Sequence, residues 1–170
     1  MGTTTVKLAD LGSYVTGLTE DRRKAMIKTV QNECATLGLA LIQQTIDQTH
    51  PLPVDRSTYR RGWKCRKIED GAALQNSEAH AATIERGRRP GQRQPPTDTM
   101  VGWVHRKGLA KKAGLRGKAA RQAERGLAFV IARAIGQRGL KALWILKRAM
   151  EKFRPPLRQA IHLAASGGPG

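Results

Sequence analysis

The spacing of apolar residues predicts one long helix in the first third of the chain. Five of them recur at alternating intervals of three and four, which places them on one helix face: Ile27, Val30, Cys34, Leu37 and Leu41. Three more lie off that stripe: Leu39, Ile42 and Ile46. We therefore expect a helix over residues 19–48 whose second half is buried on more than one side, with Pro51 and Pro53 beyond its end.

The pattern then changes to that of a hairpin. Residues 59–68 alternate as a half-buried strand does, with Tyr59, Trp63 and Cys65 facing one way and Arg60, Lys64 and Arg66 the other. Asp70-Gly71 is a strong hairpin turn signal, and residues 72–76 form a weak returning strand. Ser77 is predicted to cap a short helix that runs through Arg86, with Gly87 as the left-handed residue after it.

The second half of the chain predicts further helices separated by basic loops. Thr97 and Asp98 begin one helix. The clearest helix spans 119–137, with an apolar stripe of Leu127, Val130, Ile131, Ala134 and Ile135. Another helix over about 140–153 ends at Pro155-Pro156. Residues 1–18 are predicted to be a flexible or partner-ordered arm, residues 88–97 and 108–118 basic loops, and residues 156–170 a tail with at most a short helix.

Charge is the strongest compositional feature, and it is unevenly distributed. The 170 residues suit one domain and carry a net charge of +18. Residues 86–154 hold nineteen basic and three acidic side chains, so this half favours polyanions or acidic protein surfaces. No signal peptide or long apolar segment is found, so we expect a soluble intracellular protein that does not enter a membrane. Cys34 and Cys65 are expected to be buried thiols.

Nothing in the sequence favours an enzyme. The four histidines are scattered, and no metal-ligand cluster or nucleotide-binding glycine motif occurs. Glu78 and Glu85 could share a helix face, but no nucleophile accompanies them. We therefore expect no catalytic residues, no cofactor and no metal site.

The basic half offers candidates for an interface with protein or DNA. Phe129 lies between Arg125 and Arg133 on the helical wheel, where it would be either an exposed anchor for a partner or covered within the fold. The basic residues could contact phosphates, dock on acidic proteins or form a solvated face. No aromatic residues interleave with them, as a platform for stacking bases would require. The candidates are Arg86, Arg88, Arg89, Arg93, Lys107, Lys111, Lys112, Arg116, Arg125, Phe129 and Arg133.

The order of these features resembles the tail-completion, or head–tail joining, proteins of long-tailed bacteriophages. The similar segments are an arginine-rich opening at 59–63, the stretch Asn76 to Gly91, a Pro95-Pro96 pair before the Trp103 helix, and the stretch Ala128 to Gly139. The resemblance covers about residues 20–155. His80 departs from it, because the family usually has tyrosine at that position.

The resemblance implies an α+β fold, with a long N-terminal helix packed on a short antiparallel sheet, as a single domain over residues 19–155. It also implies a non-enzymatic virion protein of the neck, assembled in the host cytoplasm as a ring that is most often a hexamer. Its partners would be copies of itself, head-closure or connector proteins, tail-terminator or tail-tube proteins, and the genomic DNA in the channel. The rival interpretation is a small basic protein that binds DNA or RNA.

Overall fold

The structure, a computed structural model, describes residues 2–7, 19–50 and 57–166. The chain divides into two compact units: unit 1 takes its described residues from Met1–Glu85 and Leu143–Gly170, and unit 2 is Arg86–Ala142. Unit 1 contains a three-stranded antiparallel sheet and long helices, so the expected α+β class is confirmed.

The predicted N-terminal helix is present, and it contains one π-helical turn. Helix α1 spans Glu20–Glu33, the π turn spans Cys34–Gly38, and α2 spans Leu39–Asp47. Buried residues recur at every fourth position: Met26, Val30, Cys34, Gly38, Ile42 and Ile46. A regular helix of 3.6 residues per turn would rotate such a series away from the core, and the wider π turn restores its phase. This explains why the apolar residues of the sequence form two stripes.

The sheet has the order β1-β3-β2, with both pairs antiparallel. Strand β1 spans Gly2–Lys7, β2 spans Trp63–Ile68 and β3 spans Gly71–Asn76. The hairpin is confirmed, but Ile68 pairs with Gly71, so its turn residues are Glu69 and Asp70 rather than Asp70 and Gly71. The predicted strand also begins too early, because Tyr59 lies in the short helix α3, Thr58–Arg61.

The expectation of an arm over residues 1–18 is wrong for its first part. Residues 2–7 form β1 at the edge of the sheet, with Val6 buried in the core. Three consecutive threonines and a valine are β-branched, which favours an extended strand. Residues 8–18 lie outside the described residues.

The predicted stop at Pro155-Pro156 is wrong as well. Helix α8 spans Ile145–Ser166 and continues through both prolines. Each proline leaves one carbonyl of the preceding turn without its N–H donor, at Glu151 and Lys152. Both of these residues are exposed, so water can replace the lost donors. The gain is a longer buried face, because Leu157 and Ile161 continue the row that starts with Leu146, Met150 and Phe153.

The main hydrophobic core belongs to unit 1. It lies between α1, α2, α8 and the sheet, with the short helix α4, Ala81–Arg86, at its border. The fully buried large side chains there include Tyr59, Phe153, Met26, Ile42, Leu74 and Leu157. Close packing of these side chains around the π turn leaves little room at Gly38, where an added Cβ would lie 3.2 Å from Leu74 Cδ1.

Unit 2 is a small helical unit. Its helices are α5, Thr97–Arg106, the short α6, Leu109–Lys112, and the 22-residue α7, Gly117–Arg138. Helix α7 packs on α5 and α6. The predicted loop over 108–118 therefore contains α6 and the start of α7. The predicted helices at Thr97 and over 119–137 are confirmed.

Candidate protein interface

Most of the net charge lies in unit 2. Residues 86–142 carry fifteen basic and two acidic side chains, which is +13 of the total +18. One of the two acids, Glu124, is buried and accepts a hydrogen bond at 2.9 Å from His105 Nδ1. The exposed charged side chains of unit 2 are therefore almost all basic, and acidic partners are favoured over basic ones.

Helix α7 buries a face of small residues. Ala128, Ala132 and Gly136 are buried at intervals of four, and a Cβ at Gly136 would lie 3.1 Å from the Gln92 oxygen. The predicted apolar stripe is therefore wrong for Leu127 and Val130, which are exposed, whereas Ile131, Ala134 and Ile135 are partly buried. Small residues let the neighbouring backbone approach closely, and this close packing places the larger apolar side chains on other sides of the helix.

Three large apolar side chains of α7 are exposed. Leu127 is 37 % exposed, Phe129 47 % and Val130 61 %, so Phe129 is not covered by the rest of the described chain. Arg125 and Arg133, one helical turn before and after Phe129, are exposed too. An exposed aromatic side chain between arginines, next to aliphatic side chains, has the composition of a protein interface.

Two other candidates line a cavity of about 560 Å³ beside the start of α7. Lys111 and Arg116 contribute to its wall together with Arg121, His105 and the buried Glu124. Glu124 compensates one positive charge, and its bond to His105 orients the imidazole. The remaining excess of positive charge makes this cavity suitable for an anionic group.

Arg88 is held within its own loop, and Arg93 takes part through its backbone carbonyl. The Arg88 guanidinium donates a hydrogen bond to the Arg93 carbonyl, and its Nε is buried without a partner. Both residues line a second cavity, of about 450 Å³, with Pro95 and Pro96. Arg88 thus closes its own loop. The other candidates are exposed and line neither cavity: Arg86, Arg89, Lys107 and Lys112.

Glu85, for which the sequence predicts no catalytic role, connects separate segments of unit 1 by hydrogen bonds. It is buried, its carboxylate accepts a 2.7 Å hydrogen bond from the Tyr59 hydroxyl, and the Leu146 N–H at the start of α8 donates to it at 3.1 Å. Burial raises the pKa of Glu85 above its ordinary 4.5, against the lowering effect of these hydrogen bonds. No periodicity reveals this role, because the partners are distant in sequence.

The rest of the Asn76 to Gly91 stretch also serves the backbone. Buried Asn76 donates from Nδ2 to the Tyr59 carbonyl at 2.8 Å and accepts the Glu78 N–H at 3.0 Å. The predicted cap at Ser77 is wrong, because α4 begins only at Ala81. Gly87 has the predicted positive φ of +71°. Beyond it, Arg88 and Leu140 exchange two backbone hydrogen bonds of 2.8 Å in an isolated antiparallel bridge.

Side chains that could together hold a metal ion are not clustered in the described part of the chain. Residues 2–7, 19–50 and 57–166 contain no cluster of three or more His, Cys, Asp or Glu side chains suited to a metal. Cys34 is buried, and burial raises its pKa to about 12, so the thiol is a poor nucleophile. Cys65 is only partly buried, in contrast to the expectation.

No helix within the described ranges is long and apolar enough to cross a membrane. Comparison of the chain with protein-family models, with curated proteins and with solved structures gives no match.

Proposed function

We propose that the chain is a structural subunit of the neck of a long-tailed bacteriophage, where it forms a ring that completes the tail and joins it to the head-closure components around the DNA channel. The observation that carries this proposal is the exposure of large apolar side chains on α7. A long helix with three exposed large apolar side chains, on a unit of charge +13, supports a protein that works by binding other proteins.

The residues of the tail-completion-like stretch support a structural rather than a catalytic role. Asn76, Glu85 and Gly87 are all engaged in holding backbone segments of their own units. A closed cyclic ring also requires two unlike surfaces on each subunit. Unit 1 exposes Trp144, so a large apolar side chain for contacts is present on each unit.

The oligomer is the direct test of this proposal. Negative-stain electron microscopy and native mass spectrometry of the purified chain, alone and with isolated tails, should show closed rings, and the protein should copurify with virions at a few copies each. A chain that stays monomeric and never enters rings with tails would refute the proposal.

A small nucleic-acid-binding protein is the second candidate, and the basic cavity at Lys111, Arg116 and Arg121 favours it. Such a protein would bind duplex DNA by itself at physiological salt, with an affinity that falls steeply as salt increases. Fluorescence anisotropy with a labelled duplex over a series of salt concentrations distinguishes the two. The neck proposal predicts only weak binding of free duplex, because the basic side chains would make their contacts within the assembled particle.

A further inference from the structure

The outer side of α7 has the residue spacing of a helix-docking seam. Its apolar and small residues recur at intervals of three, four, three and four: Ala120, Ala123, Leu127, Val130 and Ala134. We call these five residues the α7 seam; Leu127 and Val130 are exposed, and the three alanines are exposed in part. An alternation of three and four is the pattern by which one helix receives the side chains of another. A strand or a DNA duplex has no matching period.

The seam lies on the side of α7 that unit 2 leaves uncovered. At 100° per residue, Val130 and Ala134 point away from the buried row of Ala128 and Ala132. Leu127 is 37 % and Val130 61 % exposed, so the described residues leave these seam side chains largely uncovered. The space above the seam is therefore available to a helix of another molecule.

The charges beside the seam select the kind of helix. Arg133 and Arg138 occupy the flanking positions on its two sides, and both are exposed. Glu124, the only carboxylate of α7, is buried against His105. A second copy of α7 would bring arginine against arginine without a compensating acid, and like charges across a helix pair are destabilising. Carboxylates on the incoming helix would compensate both arginines.

We propose that the α7 seam binds an amphipathic helix of a different protein, with large apolar residues at heptad spacing and Asp or Glu beside them. Phe129 lies about 100° around α7 from Val130, between Arg125 and Arg133, and is therefore outside the seam. The inference rests on the proposed assembly function for the source of the partner, which would be a neighbouring virion protein. The residue types expected in the partner helix follow from the seam and the arginines of α7 alone.

Two designed peptides test this inference on the full chain. Each has about three heptads, with Leu at both core positions and either Glu or Lys at all flanking positions, so that self-repulsion keeps each peptide from pairing with itself. Isothermal titration calorimetry should show binding of the Glu peptide and little binding of the Lys peptide. Val130→Asp should weaken the Glu peptide at least about tenfold, as expected for loss of a central interface contact. Leu163→Asp, at an exposed leucine of α8 in unit 1, is the matched control and should bind as the native chain does.

The double variant Arg133→Glu/Arg138→Glu should reverse the preference, so that the Lys peptide binds better. These positions are exposed, so the variants should fold, which circular dichroism can verify. Equal binding of both peptides, or displacement of the Glu peptide by duplex DNA with no effect of Val130→Asp, would overturn the inference. So would a homodimer that Val130→Asp dissociates. Rings without peptide binding would refute only this inference, and peptide binding without rings would refute only the proposed function.

Discussion

Glu85 connects three segments of unit 1 through one buried carboxylate. Tyr59 in α3 and the Leu146 N–H of α8 donate to its side chain, and its own carbonyl accepts the Trp144 N–H at 3.2 Å. Burial raises the pKa of this carboxyl group above 4.5. The folded state therefore holds the proton at pH values where the unfolded chain has already released it. Stability from this group is greatest below pH 4.5 and falls as the pH rises through the folded pKa.

Glu85→Gln should remove this component of the pH dependence. Glutamine can still accept hydrogen bonds from Tyr59 and Leu146, and it does not ionise. The stability of the variant relative to the native chain should therefore increase as the pH rises from about 4 to about 8, since the unfolded carboxyl group ionises near its reference pKa at the lower end. Urea unfolding at a series of pH values measures it, with Glu78→Gln as the control for loss of one carboxylate. Parallel pH profiles for Glu85→Gln and the native chain would contradict the prediction.

The two backbone segments that meet at Arg88 and Leu140 depend on glycine. Gly87 has φ +71°, and an added Cβ would overlap the Leu140 carbonyl and lie 2.6 Å from the Ala142 nitrogen. Gly91 also has a positive φ, of +77°, but open space around it. Gly91→Ala should therefore cost only the left-handed backbone, about 1–2 kcal/mol. Gly87→Ala should cost more than Gly91→Ala, and equal losses of unfolding free energy would show that the Arg88–Leu140 contact is loose.

At the scale of elements, α8 gives a direct test of the helix that continues through two prolines. Leu157 lies after Pro155-Pro156 and is 1 % exposed, whereas Leu163 in the same helix is 57 % exposed. Leu157→Ala should lower the free energy of unfolding by about 2–5 kcal/mol, the range for truncation of a buried leucine. Leu163→Ala should change it by less than about 0.5 kcal/mol. If both variants unfold at the same urea concentration as the native chain, residues 156–166 do not belong to the core.

The elements differ in how much of them the sequence could predict. Local periodicity was sufficient for α1–α2, the hairpin, α5 and α7, because each repeats its pattern over several turns or strand residues. Local sequence patterns gave the wrong element where packing in the folded chain outweighed the local preference of the residues. The prolines of α8 are tolerated because Leu157 and Ile161 reach the core, and β1 becomes a strand because β3 offers it an open edge.

The face of α7 could not be predicted from periodicity because two faces compete. A hydrophobicity pattern ranks Leu127 and Val130 above Ala128 and Ala132, but close packing on α5 selects the smaller set. The prediction for Phe129 depended only on the helical wheel and its charged neighbours. The structure shows that Phe129 is exposed, and its role as an anchor for a partner stays a prediction. The role of Glu85 was out of reach, since its partners are 26 and 61 residues away.

The two units differ in the kind of side chain they bury. The hydrophobic core cluster consists of unit 1 residues, including Met26, Phe153 and Leu157. Unit 2 buries mainly Val104 and alanines, and it leaves Leu127, Phe129 and Val130 outside. Burial of apolar area stabilises by about 25 cal/mol per Å², so small buried side chains contribute less. Unit 2 should therefore be the less stable unit until a partner covers α7.

Amide hydrogen exchange measured by mass spectrometry tests this difference in the intact chain. Amides of α1, β3 and α8 should exchange most slowly, and those of α5 and α7 should exchange faster, because local opening exposes less apolar surface in unit 2. Phe153→Ala should speed exchange in α1, which packs with α8 in the same unit. Addition of the Glu peptide should slow exchange in α7 and α5 in proportion to its occupancy. Equal protection of α7 and α8 in the free chain would mean that unit 2 has reached full stability without a partner, and the apolar residues on α7 would then need another explanation.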